Sequence, residues 1–185
     1  MPKTKWLGFS FAIEFVKKNY SEEGFRRVIE TLSPGDRMVL IDNILPVSWR
    51  PMSVLSNFLR ATQKVLGGGK SKILVEAGRF SAEHIITRFY RDVIRMTSPS
   101  MVIEKIGELW GDFHDTGDVE ISLVTENLAV IKIIGHEGGN RAFCHFSAGF
   151  FEKTLEMAGA LQPKVTIQKC EYTGDDCCEY ALIWQ

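Results

Sequence analysis

The chain has 185 residues, 45% hydrophobic and 24% charged, which is typical of a globular protein that buries a core of its own. Its formal net charge of −1 gives no overall attraction to nucleic acid or to an anionic membrane. No apolar stretch approaches the roughly 18 residues of a membrane span, and the first residues show no signal-peptide cleavage pattern. We therefore expect a cytoplasmic protein with no membrane span and no nucleic-acid partner of its own.

Helical spacing of apolar residues dominates the first 111 positions. Ser21 and Ser98 are expected to cap helices, and Pro51 to stand in the first turn of another. Gly78 and Ser81 are expected interruptions of a long segment. The predicted helices cover residues 8–19, 21–29, 36–45, 51–66, 70–96 and 98–111.

After residue 117 the apolar period changes from helical to alternating, as in half-buried strands. The strand patterns cover residues 118–123, 128–134, 165–171 and 179–184, and a helix pattern covers 146–158. This order predicts an α+β fold, in which N-terminal helices pack on a four-stranded antiparallel sheet with ββαββ order in the C-terminal half. We expect a single domain over residues 1–185, mainly helical in 1–111 and a sheet with one helix in 118–185.

All four cysteines lie in the last quarter of the chain. Turn residues 172–176 predict a hairpin that brings Cys170 near Cys178, and Cys144 lies at the entry to the adjacent helix. Cys177 should point away from its neighbour. Three thiolates in this arrangement could hold Zn²⁺, whereas small, buried apolar cysteines are the alternative. The candidates for a fourth metal ligand are His145, Glu171, Asp175 and Glu179.

No catalytic constellation is visible in the sequence. Cys144 and His145 are adjacent in sequence, and the side chains of adjacent residues seldom contact each other. No third residue that would orient His145 as a base for a Cys144 nucleophile is visible. His84, His114 and His136 are scattered, and none stands in a metal-binding frame. We therefore expect a protein that is not an enzyme.

Cys144, Gly149-Phe150, the spacing Cys170-x7-Cys178 and the run GDDCCEY before the final strand form a pattern that resembles the 4-vinyl-reductase domain family. In the helical half, LPVSW at 45–49, VLGGG at 65–69 and GRFSAE at 78–83 resemble bacterial relatives of that group. The resemblance implies the fold shared by haem-dependent nitric-oxide sensors and by the small subunits of the TRAPP vesicle-tethering complex.

The resemblance also implies cofactor chemistry. Family members hold zinc with three cysteines and a glutamate, and Cys144, Cys170 and Cys178 match the cysteine positions. The glutamate is expected three residues before Cys170, where this chain has Ile167, so zinc and metal-free cysteines stay open as alternatives. The gas-sensing relatives need a proximal histidine and a Tyr-x-Ser-x-Arg motif for haem. The chain has no such run, so haem is not expected.

Several members of the family are sensory input domains that bind small aromatic effectors in a buried pocket. We therefore expect a sensory or regulatory module that binds a small apolar or aromatic molecule between helices and sheet. Ordinary core packing is the alternative for each aromatic residue expected to line that interior. These residues are Phe80, Phe89, Trp110, Phe146 and Phe150.

Two other functions remain open at this point. A TRAPP-like protein would be a homodimeric interaction scaffold, with a basic helical surface around Arg88 and Arg91 that docks a partner. An enzyme or accessory factor in tetrapyrrole vinyl reduction would follow from the family name, although no catalytic acid or hydride-cofactor motif is visible. A homodimer is expected in either sensory or scaffold function.

Overall fold

A computed structural model of the chain describes residues 1–41, 45–95 and 98–185. The helices are α1 (Trp6–Ile29), α2 (Pro34–Ile41), α3 (Met52–Val65), α4 (Lys72–Phe89), α5 (Arg91–Arg95), α6 (Pro99–Phe113) and α7 (Arg141–Met157). The strands are β1 (Lys3–Lys5), β2 (Trp49–Pro51), β3 (Asp118–Thr125), β4 (Leu128–Ile134), β5 (Lys164–Lys169) and β6 (Cys178–Ile183). The predicted α+β fold with ββαββ order is confirmed. Parts of two predicted helices, residues 42–44 and Met96, lie outside the described residues.

The helical half follows the local signals in the sequence. Ser21 has φ 68° and ψ 172° inside α1, so this long helix kinks where the sequence predicts a new helix start. Ser98 caps α6, since its hydroxyl accepts a hydrogen bond from the Met101 amide at 3.4 Å, and Pro99 follows in the first turn. None of the described helices is both long and apolar enough to cross a membrane.

The four-stranded sheet has the order β3-β4-β6-β5, with every neighbouring pair antiparallel. Alternate side chains face α7 and form the buried side of the sheet. Ile131 on β4 stands opposite Tyr180 on β6, and both are fully buried. Phe151 on α7 contacts the Tyr180 ring edge-on, with centroids 5.2 Å apart. The sheet thus fixes the position of α7, which carries residues of both candidate sites.

Helices α4 and α7 cross with their backbones in contact. A Cβ atom on Gly78 would lie 1.9 Å from the carbonyl oxygen of Phe146, and one on Gly149 would lie 2.1 Å from that of Val75. The expectation that Gly78 and Ser81 interrupt a helix is therefore wrong, because both lie buried within α4. The missing side chain of Gly78 serves the close approach of α7.

A small second sheet, formed by β1 and β2, was not predicted. Its strands have three residues each, which is too short for an alternating pattern to be visible. Thr4 on β1 also forms an isolated bridge with His114, just after α6. The Asp115 carboxylate accepts from the Lys3 amide at 2.6 Å, and the Asp115 amide donates to the Lys3 carbonyl at 3.1 Å. The chain start therefore fixes the residues that follow α6.

Candidate functional site

An apolar cavity of about 160 Å³ lies between α4, α6 and α7. Its wall is mainly aliphatic and aromatic, with Lys105 and His114 as the basic residues among those described. Apolar cavities of about 150 Å³ are large enough to hold benzene, so this one can accommodate a small ligand. The Phe, Tyr and Trp rings in its wall are those of Tyr90, Trp110, Phe113, Phe143, Phe146, Phe150 and Phe151.

The structure brings together three of the five aromatic residues expected to line the interior. Trp110, Phe146 and Phe150 stand in the cavity wall, and their role in ligand binding stays a prediction. Phe80 does not line this cavity; it stacks on His84 and packs against Phe15. Phe89 is 55% exposed at the last position of α4, where the helix no longer packs on the core, so the expectation that it faces the interior is wrong.

His114 presents an imidazole to the cavity. Its backbone is extended, bridges to Thr4, and places the ring on Trp110 with centroids 4.1 Å apart. Although part of the residue is accessible, Nδ1 is buried and has no hydrogen-bond partner within the described residues. Burial, followed by the nearby His136, lowers the pKa of His114 well below its usual value. His114 is therefore a neutral imidazole at neutral pH.

His136 lies behind His114, with ring centroids 4.9 Å apart. The Tyr172 hydroxyl donates to the His136 carbonyl at 2.9 Å, so the 2.7 Å contact with Nδ1 is one in which the imidazole N–H donates. These hydrogen bonds assign the proton to Nδ1 and leave Nε2 as a buried acceptor without a partner in the described structure. Burial lowers the pKa of His136 to about 4, against the raising effect of Asp115.

Three of the four cysteines form a buried thiol cluster of Cys144, Cys170 and Cys178. The Sγ atom of Cys144 lies 3.4 Å from that of Cys170 and 3.6 Å from that of Cys178. The three sulfurs all lie within 4.8 Å of one another. Cys144 comes from the first turns of α7, Cys170 follows β5 and Cys178 begins β6, so the hairpin folds beside α7 as the sequence predicts.

The cluster has an uneven acidity. The hydrogen bond from Cys144 lowers the pKa of Cys178, while contact with Cys178 and burial raise the pKa of Cys144. Cys178 therefore loses its proton more readily than Cys144, and its thiolate is stabilised by the neighbouring S–H groups. A thiolate is the form that ligates metals.

Cys177 stands apart from the cluster, as expected from its position next to Cys178. Its Sγ atom lies 3.7 Å from the Asp176 carboxylate. None of the predicted fourth ligands among the described residues joins the three sulfurs within 4.8 Å. The expected glutamate position holds Ile167, which pairs with Tyr180 in the sheet. The site thus has three sulfur donors and an open fourth position.

This arrangement of helices and sheet is the H-NOX fold. An H-NOX protein from S. oneidensis in the Fe(II)NO ligation state matches with a TM-score of 0.74 and 14% identity, over 98% of this chain and 99% of that one. The Fe(II) unliganded H-NOX protein from K. algicida matches with a TM-score of 0.73 and 14% identity, over 98% and 96%. No family model matches the chain, and no curated protein does.

The predicted relation to the fold of haem-dependent nitric-oxide sensors is confirmed, whereas the 4-vinyl-reductase assignment is not. The expectation against haem is wrong. It depended on a missing Tyr-x-Ser-x-Arg run, but the structures that share the fold over nearly the whole chain include H-NOX proteins in the Fe(II), Fe(II)NO and Fe(II)CO states. The structure also places His114 in the cavity wall.

Sequence reasoning missed the importance of His114 and His136, which it treated as scattered residues. They are 22 positions apart, on segments that no local pattern joins, and the sheet and the β1 bridge bring them together. One signal was available: each follows a predicted element closely, and residues at such ends often carry function.

Proposed function

We propose that this protein is a sensory module that binds its ligand in the cavity between α4, α6 and α7. One observation carries the proposal: the mainly apolar wall includes His114, whose buried Nδ1 has no partner among the described residues. Buried polar atoms normally have hydrogen-bond partners, so an unpartnered nitrogen in a cavity wall is suited to contact a ligand. The likeness to H-NOX proteins supports the same function.

Haem is the first candidate ligand, since the matching structures are H-NOX proteins in iron ligation states. When bound, haem supplies an iron that can bind gases such as NO and CO. His114 would hold the iron, because its neutral imidazole is the ligating form and the apolar wall keeps it so. Lys105 in the same wall would neutralise a carboxylate of the haem.

Absorption spectra of the full chain titrated with haem test this candidate. We expect saturation at one equivalent and a histidine-ligated spectrum. His114→Phe keeps a ring on Trp110 but removes the nitrogen, so it should lose that spectrum. His84→Phe is the matched control, because His84 stacks on Phe80 outside the cavity wall. Identical spectra for wild type and His114→Phe would remove His114 from the proposal.

The size of the cavity supports a second candidate, a small apolar or aromatic molecule bound without iron. A volume of about 160 Å³ suits a single aromatic ring better than a porphyrin. Calorimetric titration with benzene and with indole tests this candidate on the same preparation. Binding of either probe, with no haem binding, would favour the second candidate over the first. Failure of haem and both probes would contradict the sensory proposal.

We also propose that Cys144, Cys170 and Cys178 hold a divalent metal ion, usually Zn²⁺ with such donors. A tetrahedral site with metal–sulfur bonds of about 2.3 Å places its sulfurs about 3.8 Å apart. The observed separations of 3.4 and 3.6 Å are close to this value and far above the roughly 2.05 Å of a disulfide. Such an ion would join α7 to the C-terminal hairpin.

The proposed module is a binding protein rather than an enzyme, and a homodimer of single-domain subunits. The H-NOX likeness supports a binding role at the level of the fold. Light scattering measured as the protein elutes from a size-exclusion column gives its molecular mass directly. A mass twice that of the 20.9 kDa chain supports the dimer, and the mass of one chain contradicts it.

A further inference from the structure

We infer that Glu171 supplies the fourth ligand of the metal site, so that the complete donor set is Cys144, Cys170, Cys178 and Glu171. This inference rests on the metal site proposed above. It assigns the carboxylate to the residue just after Cys170, rather than to the position three residues before it, where Ile167 stands.

One oxygen of the Glu171 carboxylate is buried without a partner, although the residue as a whole is half-buried. Its Oε2 atom has no contact with water and no hydrogen bond within the described residues. An unpaired buried carboxylate is costly, and such groups normally pair with a cation or coordinate a metal. A metal ion at the neighbouring sulfurs would give this oxygen the cationic partner that it lacks.

The backbone holds Glu171 beside the thiol cluster. Glu171 begins the 3₁₀ turn Glu171–Thr173 directly after Cys170. Cys178 interacts electrostatically with both the backbone N–H and the carboxylate of Glu171, the N–H lowering the pKa of this thiol and the carboxylate raising it. Gly174, with φ 108°, ends the turn in the left-handed region and directs the chain back toward Cys178. The turn therefore keeps this carboxylate near the sulfurs.

The other predicted fourth ligands are committed elsewhere. The Asp175 carboxylate accepts a hydrogen bond from the Cys170 amide at 2.7 Å, and the Glu179 carboxylate lies 3.8 Å from the Lys132 ammonium. His145 follows Cys144 on α7, and successive residues of a helix point about 100° apart. Of the four candidates, Glu171 is thus the one with a buried, unpartnered ligand atom.

Ligation requires one local movement. The Glu171 oxygens are not among the ligand atoms that lie within 4.8 Å of one another, so rotation about the side-chain torsions has to bring Oε2 to the metal. Three thiolates and one carboxylate around a divalent ion carry a net charge of −2, which equals that of the common four-cysteine zinc sites. The net charge of the inferred site is therefore one that zinc sites in proteins commonly have.

Cobalt(II) binding to the full-length chain tests the inference, because its d–d bands report the coordination sphere. We expect wild type to bind one Co²⁺ in a tetrahedral site. Glu171→Gln should retain the sulfur-to-cobalt charge-transfer band, shift the d–d bands and weaken binding by at least about 10-fold. Glu179→Gln is the matched control in the same hairpin and should leave the d–d bands unchanged. Metal-free Glu171→Gln should be at least as stable as wild type, because the wild-type Oε2 atom makes no hydrogen bond within the described residues that the substitution could weaken.

The outcomes separate the two proposals. If wild type fails to bind Co²⁺, the metal site itself is contradicted. If wild type and Glu171→Gln bind with the same affinity and the same d–d spectrum, the metal site stands and the assignment of Glu171 is overturned. A loss of stability in metal-free Glu171→Gln would also overturn it, because the carboxylate would then have a structural partner.

Discussion

The hydroxyl of Tyr172 contacts His136 at two points, donating to its carbonyl oxygen at 2.9 Å and accepting from Nδ1–H at 2.7 Å. Tyr172 belongs to the turn between Cys170 and Cys178, whereas the His136 ring lies 5.0 Å from that of Phe143 in the cavity wall. These two residues therefore connect the thiol hairpin to the wall of the proposed ligand site.

Tyr172→Phe should destabilise the protein, because it leaves the buried Nδ1–H and carbonyl of His136 without their partner. The expected loss in the free energy of unfolding is about 1–3 kcal/mol. Urea unfolding measures it. Tyr20→Phe is the control, since Tyr20 contributes a ring contact with Phe15 on α1, and it should change the stability by less than about 0.5 kcal/mol. Equal losses in the two variants would contradict the role of the Tyr172 hydroxyl.

Stability should fall on acidification because His136 is held neutral. Burial lowers its pKa to about 4 against the raising effect of Asp115, while the unfolded side chain titrates near 6.5. Between these two pH values the unfolded chain binds a proton at His136 and the folded chain does not. The stability that depends on a neutral His136 is therefore fully present above pH 6.5 and is lost as the pH falls through about 4. The loss is about 3 kcal/mol for this group, and the lowered pKa of His114 acts in the same direction.

Unfolding free energies measured from pH 7.5 to 4.5 test this dependence. His136→Asn is the informative variant, because its amide N–H can still donate to Tyr172 but does not titrate. Its stability should depend less on pH than that of wild type. Equal slopes would show that His136 is not the group responsible.

The sequence predicted the sheet and the approach of Cys170 to Cys178 because both depend on local signals. The alternation in β3 and β4 and the turn after Cys170 are readable within ten residues, and they determine where Cys178 lies. Gly78 was misjudged for the opposite reason. Its role depends on the carbonyl of Phe146 from another helix, and a helix glycine that breaks the helix looks the same in sequence as one that admits a neighbour.

Gly149→Ala should destabilise the crossing of α4 and α7. The new methyl group would lie 2.1 Å from the Val75 carbonyl oxygen, so the helices must separate. We expect a loss of about 1–3 kcal/mol, as for overpacked cores. Gly111→Ala on α6 is the control, because its methyl group would meet nothing within 4 Å; it should stabilise the protein by about 0.5–1 kcal/mol. Thermal unfolding of both variants decides, and a stabilised Gly149→Ala would contradict the close approach.

The metal site predicts different behaviour for two buried cysteines. Cys144→Ser should lose stoichiometric metal binding and the thermal stabilisation that the ion provides, because it removes a central sulfur of the cluster. Cys177→Ser should keep both, since its sulfur contacts Asp176 outside the cluster. Metal analysis of the purified proteins, with melting before and after chelation, measures the difference. Retention of metal by Cys144→Ser would remove the thiol cluster as the ligand set.

The candidate ligand site could be predicted less completely than the fold. Phe146 was placed inside by helical spacing, which is a reliable guide within a helix. Phe89 follows the same spacing at the end of α4, where the helix leaves the core. His114 depends on a backbone bridge to Thr4, 110 residues away, and no pattern in the sequence signals that pairing.

Native mass spectrometry of the protein as purified from cells tests most directly whether the cavity between α4, α6 and α7 binds a ligand. We expect wild type to carry one haem or one small organic molecule per chain, or to take up either haem or benzene when it is supplied. Ser147→Phe, which places a ring in the cavity at a buried wall position, should remain folded by circular dichroism and bind neither. A wild-type protein that carries no ligand and takes up neither probe would contradict the account, and so would a Ser147→Phe variant that binds them as wild type does.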